Sequence, residues 1–444
     1  MPGPIRTSRP RRARLGRLRE ADLGLLREAD FGLLFAATAL GQLGDRVVFL
    51  ALPLAAIAAL HADAFQVGLL TALTTAGSLL VGLPAGAWVD RLRKRPVMVC
   101  ADVVRATVLA TIPTAWWAGL LSIRWLYAVA LVHGVLTVFF DVAYVSFLPH
   151  LVGRGRLVEG NAKLSAIRSV TSIAGPAVAG PLAGWAGAPA ALVVSSAGMA
   201  LSGLLASRIR VREQLPEELP RELPEARGRR RPRLRQEVTE GLKFVLRDPV
   251  LRATLCGDAL FNLFLVLYQS MLLVFLERQA GLGPGAVGLV LSGMGCGALL
   301  GALLAARVAE RFGTGPVIWL APLLTCPLTA LMPAARPGWS TCVAAVGLAA
   351  LSLGGVVRVV AQSSVQQART PDRLLGRMSA TARFVTWGGL PLGGVLGGAA
   401  GSVFGAAATL WIGAAGMTLS FLPAFLSPLR TLRTVRAAAP ATKG

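Results

Sequence analysis

Apolar segments of membrane-spanning length recur twelve times along this chain of 444 residues. A helix needs about 20 predominantly apolar residues to cross about 30 Å of hydrocarbon. The approximate ranges are 31–60, 65–87, 97–120, 124–148, 164–186, 189–206, 252–277, 284–306, 315–335, 340–361, 383–404 and 406–427. Because lipid offers no hydrogen bonds to the backbone, each segment must satisfy its own polar groups as a helix. The sequence therefore predicts an all-α membrane protein with twelve transmembrane helices.

The composition agrees with a membrane protein. Hydrophobic residues make up 54% of the chain and charged residues only 15%, whereas soluble chains carry about 25% charge. The formal net charge of +23 comes from cations clustered between apolar segments rather than mixed with aromatic residues on one surface. We therefore expect no nucleic-acid partner.

The polar stretches divide the chain into five regions. These are a basic arm at 1–30, a six-helix half at 31–206, a linker at 207–250, a second half at 251–428 and a basic tail at 429–444. If both termini are cytoplasmic, the external connections carry only Arg124, Arg278 and Arg336 as cations. Since basic loops remain in the cytoplasm, we expect a multi-pass protein of the inner or plasma membrane with cytoplasmic termini.

The two halves repeat each other at constant offsets. Gly68, Gly77 and Asp90-Arg91 recur 220 residues later as Gly288, Gly297 and Glu310-Arg311. Ser165-Ala166, Gly175, Gly180 and Gly184 recur 214 residues later as Ser379-Ala380, Gly389, Gly394 and Gly398. The motifs of the first half thus recur in the second half at two constant separations, and the loops fall in matching places. This repeat predicts two pseudo-symmetric six-helix bundles, related by an axis along the membrane normal.

A dense cation cluster lies between the second and third segments. It reads Gly86-Ala87-Trp88-Val89-Asp90-Arg91-Leu92-Arg93-Lys94-Arg95-Pro96. This stretch resembles the loop signature of the major facilitator superfamily, with Arg93 where that family usually carries glycine. The resemblance implies a transporter fold and a conformational role for Gly86, Asp90, Arg91, Lys94 and Arg95.

A second motif, from Ala174 to Pro181, contains Gly175, Pro176 and Gly180 in the fifth segment. Glycines allow helices to approach closely and proline bends a helix, so one interpretation is packing alone. The other comes from resemblance, because this pattern is typical of proton-coupled exporters. With Thr370-Pro371-Asp372 and the stretch 375–380, it resembles the drug and siderophore exporters related to macrolide and enterobactin efflux proteins.

Ionisable residues inside apolar segments are costly and therefore indicate function. Six of them fall in the expected cytoplasmic half and are predicted to pair as an inner gate: Asp102, Arg105, Asp141, Asp258, Arg358 and Arg383. Asp45 differs, because about fourteen residues at 1.5 Å each place it some 21 Å deep, near the midplane. Desolvation disfavours a charged carboxylate there, which suits a proton carrier. A polar residue satisfied by another helix remains the alternative.

Polar and aromatic residues near the midplane are candidates for the substrate pocket. They are Gln42, Arg46, Asn262, Tyr268, Gln269 and Trp387. The histidines His61, His133 and His150 fall at different depths, and the five cysteines show no paired spacing, so we expect no metal site. The glycine-rich stretches lack the Gly-Lys-Ser/Thr ending of a phosphate loop, so we expect neither an enzyme, nor a cofactor, nor ATP-driven transport.

The sequence thus predicts a monomeric secondary active transporter, with a small-molecule substrate, protons and membrane lipids as partners. It would export an amphipathic drug, antibiotic or siderophore-like compound by proton-coupled alternating access. Two alternatives remain open. One is a lipid or lysophospholipid flippase of the same fold, and the other is a non-transporting membrane partner.

Overall fold

The computed structural model describes residues 24–211 and 242–432. Most of the predicted basic arm, the linker from 212 to 241 and the tail beyond 432 lie outside the described residues. The domain boundaries predicted there remain predictions.

Twelve long helices follow one another along the described chain. They are α1 (Ala29–Leu60), α2 (Ala64–Arg91), α3 (Lys94–Trp117), α4 (Ile123–Val152), α5 (Leu157–Ala186), α6 (Ala188–Ser207), α7 (Pro249–Val274), α8 (Pro284–Phe312), α9 (Thr314–Thr325), α10 (Ser340–Arg369), α11 (Asp372–Phe404) and α12 (Ala406–Leu419). Three of them continue in other helical forms, α7 as a π-turn (Phe275–Gln279), α9 as a 3-10 segment (Cys326–Ala334) and α12 as a short helix (Leu422–Phe425). The predicted twelve-helix, all-α architecture is confirmed.

Ten of these helices, with their continuations, are long and apolar enough to cross a membrane by length and composition. The other two, α5 and α11, begin several residues before the predicted segments, in polar sequence. The backbone hydrogen bonds of a helix form within the helix, both in lipid and in water. A helix can therefore extend past the lipid boundary into polar sequence. Both helices are rich in small residues, which suits close helix contacts.

Local signals place the turns between helices. Asp63 begins α2 with a capping box, in which its Oδ1 accepts from Gln66 N at 2.8 Å and Gln66 Oε1 accepts from Asp63 N at 3.0 Å. Single glycines, Gly187 and Gly405, connect α5 to α6 and α11 to α12 with φ of 87° and 83°. Side chains are strained at such positive φ values, so glycine permits the same sharp turn in both halves.

The halves share one packing scheme, as the repeated glycines predict. In the first half α1 packs against α5 and α6, and α2 packs against α4. In the second half α7 packs against α11 and α12, and α8 packs against α10. Each helix pair therefore recurs six helices later, which confirms the pseudo-symmetric bundles.

The bundle has two distinct ends. At the basic end, α2 meets α3 through the Arg91–Arg95 cluster and α4 meets α5. At the far end, α1 meets α2 and α3 meets α4. Four of the exposed tryptophans lie at the far end, at Trp117, Trp125, Trp185 and Trp339. Tryptophan is enriched where a membrane meets water, so this ring marks one membrane surface.

The two halves touch closely at the far end, where α5 packs on α8 and α2 packs on α11. A Cβ added to Gly288 of α8 would lie 2.3 Å from Pro176 O, and one added to Gly68 of α2 would lie 2.3 Å from Gly398 Cα. Gly82 and Gly86 lie toward the basic end of α2. A Cβ added to either of them would have no described atom within 4 Å. The halves are therefore in close contact at the far end, whereas these two glycines near the basic end of α2 meet no described residue of the second half.

Candidate functional site

A buried ionic cluster joins three helices in the middle of the first half. Arg105 of α3 is fully buried and donates through Nη1 to Asp45 of α1, at 3.2 Å from Oδ1 and 3.4 Å from Oδ2. Its Nη2 donates to Asp102, one turn earlier on α3. The guanidinium also lies over the Phe140 ring of α4, 4.7 Å from the centroid. One arginine thus bridges two carboxylates in the membrane interior.

Hydroxyl groups complete this cluster. Arg105 Nη1 lies 3.2 Å from Thr137 Oγ1 of α4. Ser202 Oγ of α6 lies 2.6 Å from Asp102 Oδ2 and 2.8 Å from Ala37 O, so its single proton can be donated to either acceptor. Asp102 is fully buried, whereas the Asp45 side chain is 27% exposed. Asp45 is therefore the member of the pair that water and ions can reach.

His133 of α4 lies against the same carboxylate. Its Nε2 is 3.3 Å from Asp45 Oδ1, and its ring is almost fully buried. Histidine is the side chain whose ordinary charge change falls between about pH 5 and 8. The sequence analysis did not assign a role to His133, because the three histidines fall at different depths. The depth of a residue along its own helix does not show which side chains of other helices it contacts.

Three further charged side chains line the space beside Asp45. Arg46 of α1, Asp141 of α4 and Arg168 of α5 are exposed although they occur within membrane-length helices. Arg46 and Asp141 interact electrostatically with each other and with Arg168. A charge facing hydrocarbon is costly, so we infer that these side chains line a water-accessible cavity.

The charges of this cavity balance. Asp45, Asp102 and Asp141 supply three carboxylates, and Arg46, Arg105 and Arg168 supply three guanidinium groups. With His133 neutral, the set carries no net charge. One added proton or one bound cation therefore changes this set of first-half side chains from neutral to positive, in surroundings where charge interactions are stronger than in water.

A second polar cluster lies in the other half. Arg358 of α10 and Gln362, one turn later, both donate to Asp258 of α7. The Arg358 guanidinium lies over the Phe261 ring, 4.4 Å from the centroid. Asn262 follows on α7 and donates to Asp258 O at 2.9 Å.

These pairs bear on the predicted inner gate. Asp102–Arg105 lies within α3, and Asp258–Arg358 joins two helices of the second half. Arg383 is exposed on α11. In this conformation both pairs lie within one half and do not join the two halves, because each carboxylate has its arginine in its own half.

The structure corrects one predicted substrate residue. Tyr268 is fully buried, and its hydroxyl donates to Thr329 O at 3.2 Å. It packs inside the second half against Gly413 of α12 and does not line a cavity, because that face of α7 turns toward α9 and α12. Gln42, Asn262 and Gln269 are half-buried, and Trp387 is 37% exposed, so these four remain candidates.

The glycines of the fifth segment lie at two helix contacts. A Cβ on Gly175 would lie 2.2 Å from Arg46 Cβ, so glycine lets α5 approach α1 beside the ionic cluster. Gly180 meets Gly288, and Pro176 O faces the same glycine, at the contact between the halves. The motif thus places α5 against both the cluster and the partner half.

The cation loop is only partly described. Arg91 and Arg93 are exposed at the basic end, while Lys94 is buried at the start of α3. Arg95 donates to Ser207 O at the end of α6. The Asp90 side chain lies outside the described part of the chain, so its predicted role remains a prediction.

Comparison with known proteins identifies the family. The family model of the Major Facilitator Superfamily matches residues 34–357. A protein named as an uncharacterized MFS-type transporter, y4rN of Sinorhizobium fredii, is 28% identical over 82% of this chain and 87% of its own length. The multidrug efflux pump Tap of Mycolicibacterium fortuitum is 26% identical over 90% of this chain and 96% of its own length.

A solved structure shares the fold. The crystal structure of the nucleoside transporter NupG superposes with a TM-score of 0.72 at 12% identity, covering 89% of this chain and 98% of NupG. The family match covers most of the chain, and the helix order, the repeated halves and the loop between α2 and α3 agree with it. This chain belongs to the major facilitator superfamily.

Proposed function

We propose that this protein is a proton-coupled secondary transporter that exports an amphipathic small molecule, with Asp45 and His133 forming the proton site. One observation carries the proposal. Within the membrane-length helices, His133 Nε2 lies 3.3 Å from Asp45 Oδ1. Arg105, which bridges Asp45 to Asp102, lies beside this contact. Buried ionisable chains of this kind mark proton relays in transporters.

The coupling follows from the balance of charge. A proton that binds at Asp45 or His133 makes the cavity positive, which disfavours a bound cation. A cationic substrate bound beside Asp45 and Asp141 disfavours the proton in turn. Proton and substrate therefore exclude each other at one site, and this exclusion is the requirement for exchanging one against the other during alternating access.

The proposed orientation is compatible with export. The Arg91–Arg95 cluster lies at the basic end, and basic loops remain in the cytoplasm. In the proposed orientation the far end faces outward in the cell membrane, both termini are cytoplasmic and the described conformation is open inward. Substrate then enters from the cytoplasm, and proton entry from outside drives its release.

The walls of the cavity favour an amphipathic substrate. The first half contributes the charged groups Arg46, Asp141 and Arg168, and we propose that the exposed rings Phe384 and Trp387 of α11 supply the apolar part of the wall. The similarity to a protein named as a multidrug efflux pump supports the drug-exporting branch and a role in multidrug resistance.

Proteoliposomes containing the full chain test this proposal. Ethidium, a tetracycline, a macrolide and a catecholate siderophore are presented with and without a proton gradient. We expect gradient-driven movement of at least one compound, accompanied by proton counterflow. Gradient-independent movement of fluorescent lysophospholipid alone supports the flippase alternative, and no flux of any compound supports a non-transporting partner.

A further inference from the structure

A groove with a basic rim and an apolar wall lies at the basic end, on the periphery of the first half. Its rim is built from the start of α1, the start of α3 and the residues after α6, and it encloses about 1890 Å³. Pockets for drug-sized molecules measure about 300–1,000 Å³, so this groove has room for a larger ligand. It is separate from the Asp45 cavity, because its lining residues do not include Asp45, Asp141 or Arg168.

The rim is rich in arginine. Arg93 and Arg95 come from α3, and Arg208 and Arg210 follow α6, whereas Asp30 is the one carboxylate among the lining residues. Two contacts tie the three elements together. Arg95 donates to Ser207 O, and the backbone N of Arg210 donates to Asp30 Oδ1 at 3.0 Å. The guanidinium groups of Arg208 and Arg210 are thereby presented on a fixed rim, and both side chains are exposed.

The wall below the rim is apolar. It includes Leu33 of α1 and Val99, Val103 and Val104 of α3, and Val103 is 48% exposed. Ten residues separate Arg93 from Val103, which corresponds to about 15 Å along the helix. This depth equals one leaflet of a hydrocarbon core of about 30 Å. Cations at headgroup level above valines at acyl-chain level match the polarity of a phospholipid.

We propose that this groove binds an anionic phospholipid, with the phosphate on the Arg208–Arg210 rim and an acyl chain along Val99, Val103 and Val104. Basic residues beside a membrane attract anionic lipids, and arginine suits phosphate because its planar fork donates two parallel hydrogen bonds. A water-soluble phosphate ester shares the headgroup chemistry, but it has nothing to place against the apolar wall.

Titration of the purified full-length protein with dioctanoyl phosphatidylglycerol, followed by native mass spectrometry, tests the proposal. Dioctanoyl phosphatidylcholine and glycerol 1-phosphate are the comparison ligands. We expect phosphatidylglycerol to bind most tightly, and R208Q/R210Q to weaken it about tenfold or more. The matched control R247Q/R252Q removes two exposed arginines from the start of the second half and is expected to leave binding unchanged.

A wall variant separates lipid from soluble phosphate. Val103→Asn is expected to weaken phosphatidylglycerol binding while leaving any glycerol 1-phosphate binding unchanged, and thermal unfolding checks that each variant is folded. Equal loss in both arginine variants overturns the proposal, since it indicates general attraction to the basic end. Equal binding of phosphatidylcholine, or full competition by glycerol 1-phosphate, also overturns it.

Discussion

The Nε2 atom of His133 lies 3.3 Å from Oδ1 of Asp45, and Arg105 Nη1 lies 3.2 Å from the same oxygen. A carboxylate that touches both an imidazole and a guanidinium can exchange a proton with the first while the second keeps it in place. This arrangement gives a physical reason why α1, α3 and α4 converge at this depth.

His133 is expected to shape the response of transport to pH. His133→Gln retains a polar side chain but cannot change its charge, so gradient-driven efflux should fall about a hundredfold or more, the range that a positioned proton-transfer group contributes. His150→Gln on the same helix is the control, because His150 is exposed and lies 3.1 Å from Ser146 O rather than near Asp45. A wild-type pH profile in His133→Gln removes this residue from the proton site.

The buried pairs are expected to be coupled within each half and independent between halves. Asp258→Asn or Arg358→Met alone leaves the remaining charge of the pair without its counter-charge, so each should destabilise the protein by about 3–5 kcal/mol. The double variant should cost less than their sum. Pairing Asp258→Asn with Arg105→Met should instead give additive losses within about 0.5 kcal/mol, because these residues share no partner. Thermal unfolding in detergent measures all combinations, and additivity within the Asp258–Arg358 pair contradicts the assignment.

Closure of the far end is expected to depend on Gly288. A side chain there meets the Pro176 carbonyl oxygen, so Gly288→Leu should shift the population toward a state open at the far end. Gly285→Leu on the same helix is the control, since its added Cβ has no described atom within 4 Å. Spin labels replacing the exposed Trp185 and Trp339, in a cysteine-free background, report the distance between the halves. An unchanged distance distribution in Gly288→Leu argues against this contact as the closure.

Arg278 is expected to hold the same end closed. Its Nη2 donates to Ala62 O at 2.7 Å, which joins the turn after α7 to the turn after α1. Arg278→Gln should therefore increase opening of the far end and raise the labelling rate of a cysteine placed in the cavity. Arg336→Gln should not, because Arg336 donates to Ala335 O within its own loop, at 2.8 Å. Equal labelling rates in both variants contradict the predicted latch.

The sequence predicts the helices well and the site only in part. Hydrophobic length determines where helices such as α1 and α8 lie, because an apolar segment in lipid has one stable backbone form. Which side chains meet depends on helix rotation and packing, which one-dimensional depth does not contain. Asp45 could therefore be singled out, whereas its contact with His133 could not. Tyr268 was wrongly placed in the pocket for the same reason, because depth alone does not distinguish a cavity face from a buried face.

Substrate exchange and proton-driven efflux, measured in the same proteoliposomes, test the central claim most directly. Asp45→Asn keeps the size of the side chain but cannot release a proton, so gradient-driven efflux should be lost. Exchange of substrate across the membrane without a gradient should continue with weaker substrate affinity, because Asp45→Asn mimics the protonated site, and Asp45→Glu should retain part of the coupling. Loss of substrate binding itself in Asp45→Asn would assign Asp45 to the substrate instead. Unchanged proton-driven efflux in Asp45→Asn would contradict the account.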